Sequence, residues 1–269
     1  MRYLVLCGGG SRGAIEVGFA QALWESGVRF DGIVGSSVGA LNDAFLAAGG
    51  HPDELAEIWR SLRFRDVFRF NWRILLRGVR ETAVFAIGRR LRRLVRELGA
   101  GRFEHLSFPF AVVATDLATG NAVVLDRGPV EPALMASIAI PGLLPPVRLD
   151  GRCLVDGSLS ADLPVGEAVR RGATEVWAMR CACCASPEYR FDSLTAVIAQ
   201  TFGIAVDRTR PFCETAPPHV RTHIWSVDAE MHVPSLDFSA ADTLIAAAYR
   251  ETKRQLATSG WEASDAATG

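Results

Sequence analysis

Apolar runs and amphipathic stretches alternate along the first fifty residues of the chain. Residues 2–6 form a short apolar run with β-branched and aromatic side chains, and the run ends at three glycines, as a buried strand does. Apolar positions then recur at helical spacing as far as Gly27, which predicts a helix that ends there. A second short strand through residues 33–34 and a second helix that ends at Gly49 repeat this order. Alternating strands and helices favour a mainly parallel sheet between helices.

The first strand-to-helix turn is rich in glycine. Because this turn opens a helix, its backbone N–H groups have no partner inside the helix and lie beside the partly positive helix end. Such a turn can bind a phosphate group or hold a developing oxyanion. The candidate oxyanion residues of this turn are Gly8, Gly9, Gly10, Ser11, Arg12 and Gly13.

The same glycines allow a second interpretation, because Gly8, Gly10 and Gly13 have the spacing of a dinucleotide-binding fingerprint. That fingerprint expects an acidic residue at the end of the second strand, where it would hold a ribose. Asp31 lies near the right distance, but it precedes the apolar run of the second strand. Nucleotide binding is therefore the weaker interpretation of this turn.

The second strand-to-helix turn has the pattern Gly-x-Ser-x-Gly, formed by Gly35, Ser37 and Gly39. Glycines flank the serine of such a turn because side chains have no room there, and the serine hydroxyl is exposed at the head of the helix. The pattern occurs by chance fairly often, but its position between a strand and a helix favours a catalytic role. The sequence therefore predicts Ser37 as a nucleophile that faces the glycine-rich turn.

A nucleophilic serine needs a base, which is normally an oriented histidine. None of the five histidines lies in a setting that marks it as catalytic, and a surface or core role fits each better: His51, His105, His219, His223 and His232. Acidic side chains are more informative. Asp156 ends the apolar run 154–155 and precedes Gly157, which makes it a candidate base, whereas Asp116 lacks such a glycine and fits a turn cap better.

Four ordered blocks of the chain resemble the patatin-like phospholipases, acyl hydrolases that use a Ser–Asp dyad in place of a triad. The turn 8–13 resembles the oxyanion loop of that family, and Ser37 falls on its nucleophile position. Residues 136–141 are similar to its Ala-Ser-x-Ala-x-Pro block, and Asp156 with the following glycine matches its dyad motif. The resemblance covers roughly residues 3–180.

The resemblance implies an α/β fold of three layers, with a mainly parallel sheet between helices. It also implies that Asp156 is the general base for Ser37, and we expect neither a metal nor another cofactor. Desolvation in an enclosed pocket would raise the pKa of this carboxyl and make it a better base. Ser158 and Asp162 depart from the family pattern, but both stay small or polar, which fits a changed active-site floor with the dyad kept.

The chain has 269 residues, of which 49% are hydrophobic, so it is long enough to bury a full core. We expect one domain over residues 1–258 and a flexible, small and polar tail over residues 259–269. No apolar stretch approaches the ~18 residues that span a membrane. The apolar start at residues 4–7 is too short for a signal sequence. These features predict a cytoplasmic protein.

The chain has six cysteines, which we expect to be reduced thiols in that compartment. Three of them, Cys181, Cys183 and Cys184, stand close enough together to suggest a metal or redox site. A zinc site needs a second pair of ligands at matching spacing, and the sequence lacks one. Buried side chains at the end of a strand are therefore the favoured interpretation.

Residues 60–102 carry 13 arginines against three acidic residues, in a chain whose net charge is −1. Apolar residues recur at helical spacing over residues 84–98, with most of the arginines off that stripe. The segment is predicted to be a basic helical insertion, placed where a lid over the nucleophile would lie. A lid of this kind would contact an anionic membrane peripherally. The plain alternative is a core helix with a solvated arginine face, and no motif supports nucleic-acid binding.

The favoured function is hydrolysis of acyl esters in phospholipids or lysophospholipids. An alternative is thioester hydrolysis or acyl transfer on a carrier such as coenzyme A, since malonyl-CoA acyltransferases share this architecture. Those enzymes use a Ser–His pair, and the block around Asp156 argues against them. The third candidate is a non-catalytic lipid-binding module, which the presence of both Ser37 and Asp156 makes less favoured. The sequence carries no signal for head-group preference or oligomeric state.

Overall fold

The computed structural model describes residues 1–98, 101–181, 191–213, 215–227, 233–234, 236–259 and 261. The strands are β1 (Arg2–Leu6), β2 (Gly32–Ser36), β3 (Phe68–Phe70), β4 (Phe85–Ile87), β5 (Phe110–Asp116), β6 (Ala122–Leu125), β7 (Val147–Leu149), β8 (Arg152–Asp156), β9 (Glu175–Arg180) and β10 (Arg221–Ser226). The helices are α1 (Ala14–Glu25), α2 (Val38–Ala47), α3 (Pro52–Ser61), α4 (Phe64–Val67), α5 (Arg73–Arg77), α6 (Arg89–Leu98), α7 (Val130–Ser137), α8 (Ser158–Ala161), α9 (Val165–Arg170), α10 (Leu194–Cys213) and α11 (Ala241–Thr258). Most of the predicted tail 259–269 lies outside the described residues, as do Cys183, Cys184 and His232.

The main sheet has eight strands in the order β10-β9-β1-β2-β5-β8-β7, with β6 also paired to β5. Strands β10, β9, β1, β2 and β5 run parallel, whereas β6, β7 and β8 pair in antiparallel fashion. Helices flank this sheet, so the predicted α/β fold with a mainly parallel sheet is confirmed. Every residue of β1 and β2 is buried, which explains why these strands appear as continuous apolar runs.

Strands β2 and β8 lie on the same edge of β5, one beyond the other. Val112 of β5 faces both β2 and β6, and Ala114 faces both β6 and β8, so β6 occupies one edge while β2 and β8 share the other. Because β8 runs opposite to β2, the carboxyl ends of the two strands point toward each other. This arrangement brings Ser37, just after β2, next to Asp156, the last residue of β8.

The amino-terminal helix α1 packs closely against α11. A Cβ atom on Gly18 would lie 2.1 Å from the carbonyl oxygen of Ile245, so glycine is required for this approach of the two helices. None of the helices within the described ranges is both long and apolar enough to cross a membrane.

The basic insertion is more irregular than the helical stripe predicted for residues 84–98. Residues 85–87 form β4, which pairs with β3 in a separate two-stranded sheet, and α6 begins only at Arg89. Gly88 lies between them, where a Cβ atom would come within 2.1 Å of the carbonyl oxygen of Asp66. The single helix was therefore the wrong prediction for the first part of this stretch, because strand pairing with β3 overrides the helical spacing.

Helix α6 keeps the amphipathic pattern that the sequence predicts. Leu91 and Val95 are buried in the core, and Leu94 is half-buried. The arginines of this stretch are exposed, namely Arg89, Arg90, Arg92, Arg93 and Arg96. Helix α6 therefore packs against the core with its arginines turned to solvent.

Candidate active site

Ser37 occupies the sharp turn between β2 and α2. Its backbone has φ 53° and ψ −127°, a left-handed conformation that costs free energy in any residue other than glycine. The flanking glycines allow this turn, because a Cβ atom on Gly35 would lie 2.1 Å from Asp43 Oδ2 and one on Gly39 would lie 2.5 Å from the carbonyl oxygen of Cys7. The turn thus brings the start of α2 against the end of β1, where the Gly39 N–H donates to the carbonyl oxygen of Cys7 at 3.0 Å.

The hydroxyl of Ser37 donates a hydrogen bond to Asp156, with Oγ and Oδ2 separated by 2.6 Å. The second carboxylate oxygen, Oδ1, accepts the backbone N–H of Ser158 at 3.0 Å. The sequence predicted an exposed Ser37, but the residue is only 5% exposed. A ligand therefore reaches Ser37 through the cavities that border it rather than from an open surface.

Asp156 is completely buried, and this burial raises the pKa of its carboxyl to about 7. The hydrogen bonds from Ser37 and from the Ser158 backbone act in the opposite direction and lower the pKa, while the nearby carboxyl of Asp162 raises it. A carboxyl with a pKa near neutrality can take up a proton and return it at physiological pH. The pair of Ser37 and Asp156 therefore has the geometry and the proton affinity of a nucleophile and its base.

Ser137 fixes the backbone of Ser37, a role that the sequence analysis did not identify. Its Oγ accepts the Ser37 N–H at 2.8 Å and donates to the carbonyl oxygen of Val113 at 2.6 Å. Both bonds are buried, so Ser137 links the nucleophile turn to strand β5. The sequence signal was the block 136–141, which was recognised by resemblance and not by the chemistry of its serine.

Several N–H groups of the glycine-rich turn are already used to shape the turn. Gly8 N–H donates to Asp162 Oδ1 at 3.1 Å, and both the backbone N–H and the Nε of Arg12 donate to the carbonyl oxygen of Gly9. The N–H groups that make none of these bonds stay candidates for holding an oxyanion. Among the residues of the turn 8–13, these are foremost those of Gly9 and Gly10. Arg12 therefore fixes the loop through its two bonds to the Gly9 carbonyl.

Position 8 has no room for a side chain, so glycine is required there. A Cβ atom on Gly8 would lie 1.9 Å from Ser158 Oγ and 2.9 Å from Asp162 Oδ1. The two positions that depart from the family pattern, Ser158 and Asp162, therefore both pack against the start of the glycine-rich turn. Gly157 is confined in the same way, since its Cβ atom would lie 2.1 Å from the carbonyl oxygen of Val113.

A buried polar network supports the turn from below. Asn42 donates from Nδ2 to the carbonyl oxygen of Gly13 at 3.0 Å and to Glu16 Oε2 at 2.7 Å, and it accepts Trp59 Nε1–H at 2.9 Å. Burial raises the pKa of the Glu16 carboxyl well above its ordinary value. The network joins α1, α2 and α3 behind the end of the turn, and the sequence analysis missed it because these residues are distant in sequence.

Three groups able to ligate a metal lie behind the same turn. Cys7 Sγ, Cys181 Sγ and a Glu16 carboxylate oxygen all lie within 4.8 Å of one another, and all three residues are buried. The backbone N–H of Cys181 donates to Cys7 Sγ at 3.1 Å. These contacts fit the expected role of Cys181 as a buried side chain after a strand. The expectation that the chain binds no metal stays a prediction.

Two cavities meet at Ser37. The first spans about 730 Å³ of empty space, part of which is open to solvent, and it extends below α6 and is almost entirely apolar. It is lined among others by Val38, Leu41, Phe45, Trp59, Val67, Phe68, Leu91, Leu94, Leu98 and Phe238. The second spans about 470 Å³ of empty space, also partly open to solvent, and lies between the glycine-rich turn and α10. It is lined among others by Gly8, Gly9, Arg12, Leu143, Ser158, Asp162, Phe202 and Val206. Both cavities are also bordered by Gly10, Ile140 and Leu236.

The histidines of the described residues make no hydrogen bond with Ser37 or Asp156. His223 lies in β10, where Nε2 is 3.1 Å from Glu175 Oε1 and the ring stacks on Trp177. His51 caps α3 through Asp53 N–H, and His219 is exposed. The candidate base is therefore a carboxylate in the part of the chain that the structure describes.

Comparisons with known proteins place these features in a family context. A family model described as Patatin-like phospholipase matches residues 4–169, more than half of the chain. An uncharacterized NTE family protein of Mycobacterium tuberculosis is 40% identical over 163 residues, which are 60% of this chain and 44% of that protein. A protein named lysophospholipase nte1 from Aspergillus terreus is 28% identical over 224 residues, 82% of this chain and 14% of that protein.

Among solved structures, the crystal structure of VipD from Legionella pneumophila aligns with a TM-score of 0.48 and 13% identity, over 96% of this chain and 67% of that chain. The chain spans less than half of the length of the curated relatives described above.

Proposed function

The chain belongs to the patatin-like phospholipase family, and on that premise we propose that it hydrolyses acyl esters of phospholipids or lysophospholipids through an acyl-Ser37 intermediate. The observation that carries the proposal is the 2.6 Å hydrogen bond from Ser37 Oγ to Asp156 Oδ2 at the junction of two cavities. A serine without an oriented base is a weak nucleophile, and this contact supplies the base.

In the proposed first step, Ser37 Oγ attacks the ester carbonyl carbon while its proton passes to Asp156 Oδ2. The N–H groups of Gly9 and Gly10 are proposed to stabilise the oxyanion, and one such donor typically contributes ~3 kcal/mol to the transition state. The tetrahedral intermediate then collapses, the bond to the leaving alcohol breaks, and Asp156 returns the proton to the alcohol oxygen. The alcohol leaves, and Ser37 carries the acyl group.

Water completes the cycle in a second half-reaction of the same form. Asp156 takes a proton from the water molecule as its oxygen attacks the acyl carbon. Collapse of the second intermediate breaks the bond to Ser37 Oγ, which recovers the proton, and a free carboxylic acid leaves. A pKa of about 7 suits Asp156 to both directions of transfer, since it is neither too acidic to accept a proton nor too basic to release it.

The two cavities suggest how such a substrate is divided. An acyl chain fits the apolar cavity beneath α6, where burial of each methylene contributes ~0.8 kcal/mol. The alcohol portion fits the second cavity, whose lining includes Arg12, Ser158 and Asp162. The acyl chain and the alcohol portion of the substrate would therefore lie in different cavities, with the reacting ester at Ser37 between them.

The proposal is tested by incubating the purified protein with phospholipid, lysophospholipid and acyl-coenzyme A and measuring the released fatty acid. We expect release from the lipid esters, and loss of that release in Ser37→Ala. Ser36→Ala is the matched control, because Ser36 is the adjacent buried serine of β2 and its hydroxyl makes no hydrogen bond to any described residue.

Three results would contradict this proposal. Preferential release from acyl-coenzyme A would favour the thioesterase alternative, and lipid binding without release would favour the non-catalytic module. Equal loss of activity in His223→Ala and Ser37→Ala would indicate a triad instead of the dyad.

We also propose that the protein works in the cytoplasm and contacts an anionic membrane peripherally through the basic insertion 60–102. The free thiols of Cys7 and Cys153 fit a reducing compartment. The 13 arginines of the insertion fit a negatively charged lipid surface, which attracts basic residues by about 1 kcal/mol each.

A further inference from the structure

The insertion carries a group of large apolar side chains that face solvent. Trp72 is 71% exposed, Leu75 is 68% exposed and Leu76 is 91% exposed, and the half-exposed ring of Phe70 packs edge-on against Trp72 at 5.0 Å between ring centres. Scattered single apolar residues are common on protein surfaces, but a contiguous group usually marks a site of interaction. This group needs an occupant that can bury it.

We propose that residues 64–77, which we call the docking arm, insert Trp72, Leu75 and Leu76 into an anionic lipid surface. The proposal narrows the membrane contact of the proposed function from the whole insertion to one short element, and in that respect it rests on the proposed function. Within the insertion 60–102, it places the contact on α5 rather than on the arginine-rich helix α6.

The geometry of α5 separates apolar from basic side chains. Residues three and four apart lie on one face of a helix, so Trp72, Leu75 and Leu76 share a face. Arg73 and Arg77 follow on the adjoining side, where both are exposed and both have a nitrogen 3.7 Å from Glu81 Oε2. An apolar face with arginines along its border is the arrangement of a helix that lies in a membrane interface, with the tryptophan ring at head-group level.

The docking arm is held firmly against the catalytic region. The rings of Phe64, Phe68 and Phe85 pack together with centres 5.0–5.7 Å apart. The strand β4 beside the arm is tied to the loop after α7, because Phe85 N–H donates to the carbonyl oxygen of Leu143 at 3.0 Å. Phe68 also lines the apolar cavity that reaches Ser37. Lipid bound to the arm would therefore lie close to the wall of the acyl cavity.

Charge favours a lipid occupant over a second copy of the chain. Residues 64–81 hold five arginines and two acidic residues, Asp66 and Glu81, so the arm keeps a net positive charge. In a symmetric dimer built on this face, the arginines of one copy would face the same arginines of the other, and like charges repel. An anionic lipid surface instead pairs each arginine with a phosphate while its acyl region buries the apolar side chains.

The test measures cosedimentation of the full chain with vesicles, without any substrate turnover. One set of vesicles is phosphatidylcholine alone, and the other contains equal amounts of phosphatidylcholine and phosphatidylglycerol. We expect Trp72→Ser/Leu75→Ser/Leu76→Ser to lower the partition coefficient on the mixed vesicles by at least ~100-fold, because three buried side chains are lost. We expect Arg73→Gln/Arg77→Gln to lower it by about 30-fold on the mixed vesicles and little on the neutral ones.

Two matched variants control for composition. Leu117→Ser/Leu194→Ser removes apolar side chains that are likewise exposed, but from other elements. Arg92→Gln/Arg96→Gln removes two charges from α6, whose apolar side is buried in the core. Both should bind vesicles nearly as the parent protein does, and all variants should show the same melting temperature.

Three results would contradict the proposal that the docking arm inserts into lipid. These are unchanged vesicle binding of the triple serine variant, a larger loss from the α6 arginines than from Arg73 and Arg77, or a parent dimer that the triple variant abolishes without any vesicle binding. A protein that binds vesicles as expected but releases no fatty acid would contradict the proposed activity alone. A protein that hydrolyses lipid esters but ignores the arm substitutions would contradict the docking arm alone.

Discussion

Replacing Asp156 with asparagine should make the protein more stable at alkaline pH while it removes activity. Asparagine keeps the shape of the side chain and can still accept the hydrogen bond from Ser37 Oγ, but it carries no charge. The parent protein must hold an ionised carboxylate in a completely buried position once the pH exceeds the pKa of Asp156. The substitution removes the free-energy cost of burying this charge. The variant therefore gains stability and loses activity, a trade-off that active sites often show.

The size of the effect follows from the pKa of Asp156, which rises from the ordinary 3.8 to about 7 on folding. Since the folded state holds this proton more tightly than the unfolded state does, the free energy of unfolding falls as the pH rises from about 4 to about 7. At pH values above both pKa values of Asp156, the free energy of unfolding is about 4 kcal/mol lower than at pH values below both. Between pH 5 and pH 8, it amounts to roughly 2.5 kcal/mol.

The assay is urea unfolding of the parent protein and of Asp156→Asn at pH 5 and pH 8. The stability of the asparagine variant relative to the parent should increase by roughly 2.5 kcal/mol from the lower to the higher pH. In parallel, kcat/KM of the parent should rise with pH through about 7, because the base must be ionised, and the variant should lose at least ~10³-fold in turnover. An equal stability difference at both pH values, or a parent activity that falls over this range, would refute a buried carboxylate base.

Two further substitutions test how the site is held together. Ser137→Ala leaves the Ser37 N–H and the Val113 carbonyl without their shared partner. We expect kcat to fall by about 10-fold to 100-fold with little change in KM, and the free energy of unfolding to fall by ~1–3 kcal/mol. An unchanged kcat would show that Ser137 does not position the turn. Gly8→Ala places a Cβ atom 1.9 Å from Ser158 Oγ and should destabilise the fold by at least ~1 kcal/mol. Adding Ser158→Gly should restore part of the lost stability, which a double-mutant cycle of urea unfolding would measure. Additive effects in that cycle would contradict the contact.

The nucleophile turn could be predicted from sequence because its physics is local. Strand, glycine-flanked serine and helix occupy a few consecutive residues, and Gly35 and Gly39 are required by contacts within the same turn and with the neighbouring strand. Asp156 could be assigned only through the resemblance to a family. It lies 119 residues away, and it reaches Ser37 because β8 pairs in antiparallel fashion on the same edge of β5 as β2, just beyond the end of β2.

The insertion shows where sequence periodicity was insufficient. Residues 84–98 have helical spacing of apolar positions, yet the first part pairs as β4 with β3, an interaction between segments about sixteen residues apart. The role of Ser137 and the network around Asn42 were missed for the same reason, since their partners come from different elements. Exposure of the docking arm was likewise beyond the sequence, because apolar residues of that density are usually buried.

The most direct test of the acyl-serine mechanism is to label the protein with a fluorophosphonate and to map the modified peptide by mass spectrometry. Such a reagent reacts with serine nucleophiles that have an active base. We predict a single adduct on Ser37, no adduct in Ser37→Ala, and strongly slowed labelling in Asp156→Asn. An adduct on Ser36 or another serine, or unchanged labelling of Asp156→Asn, would contradict Ser37 and Asp156 as the catalytic pair.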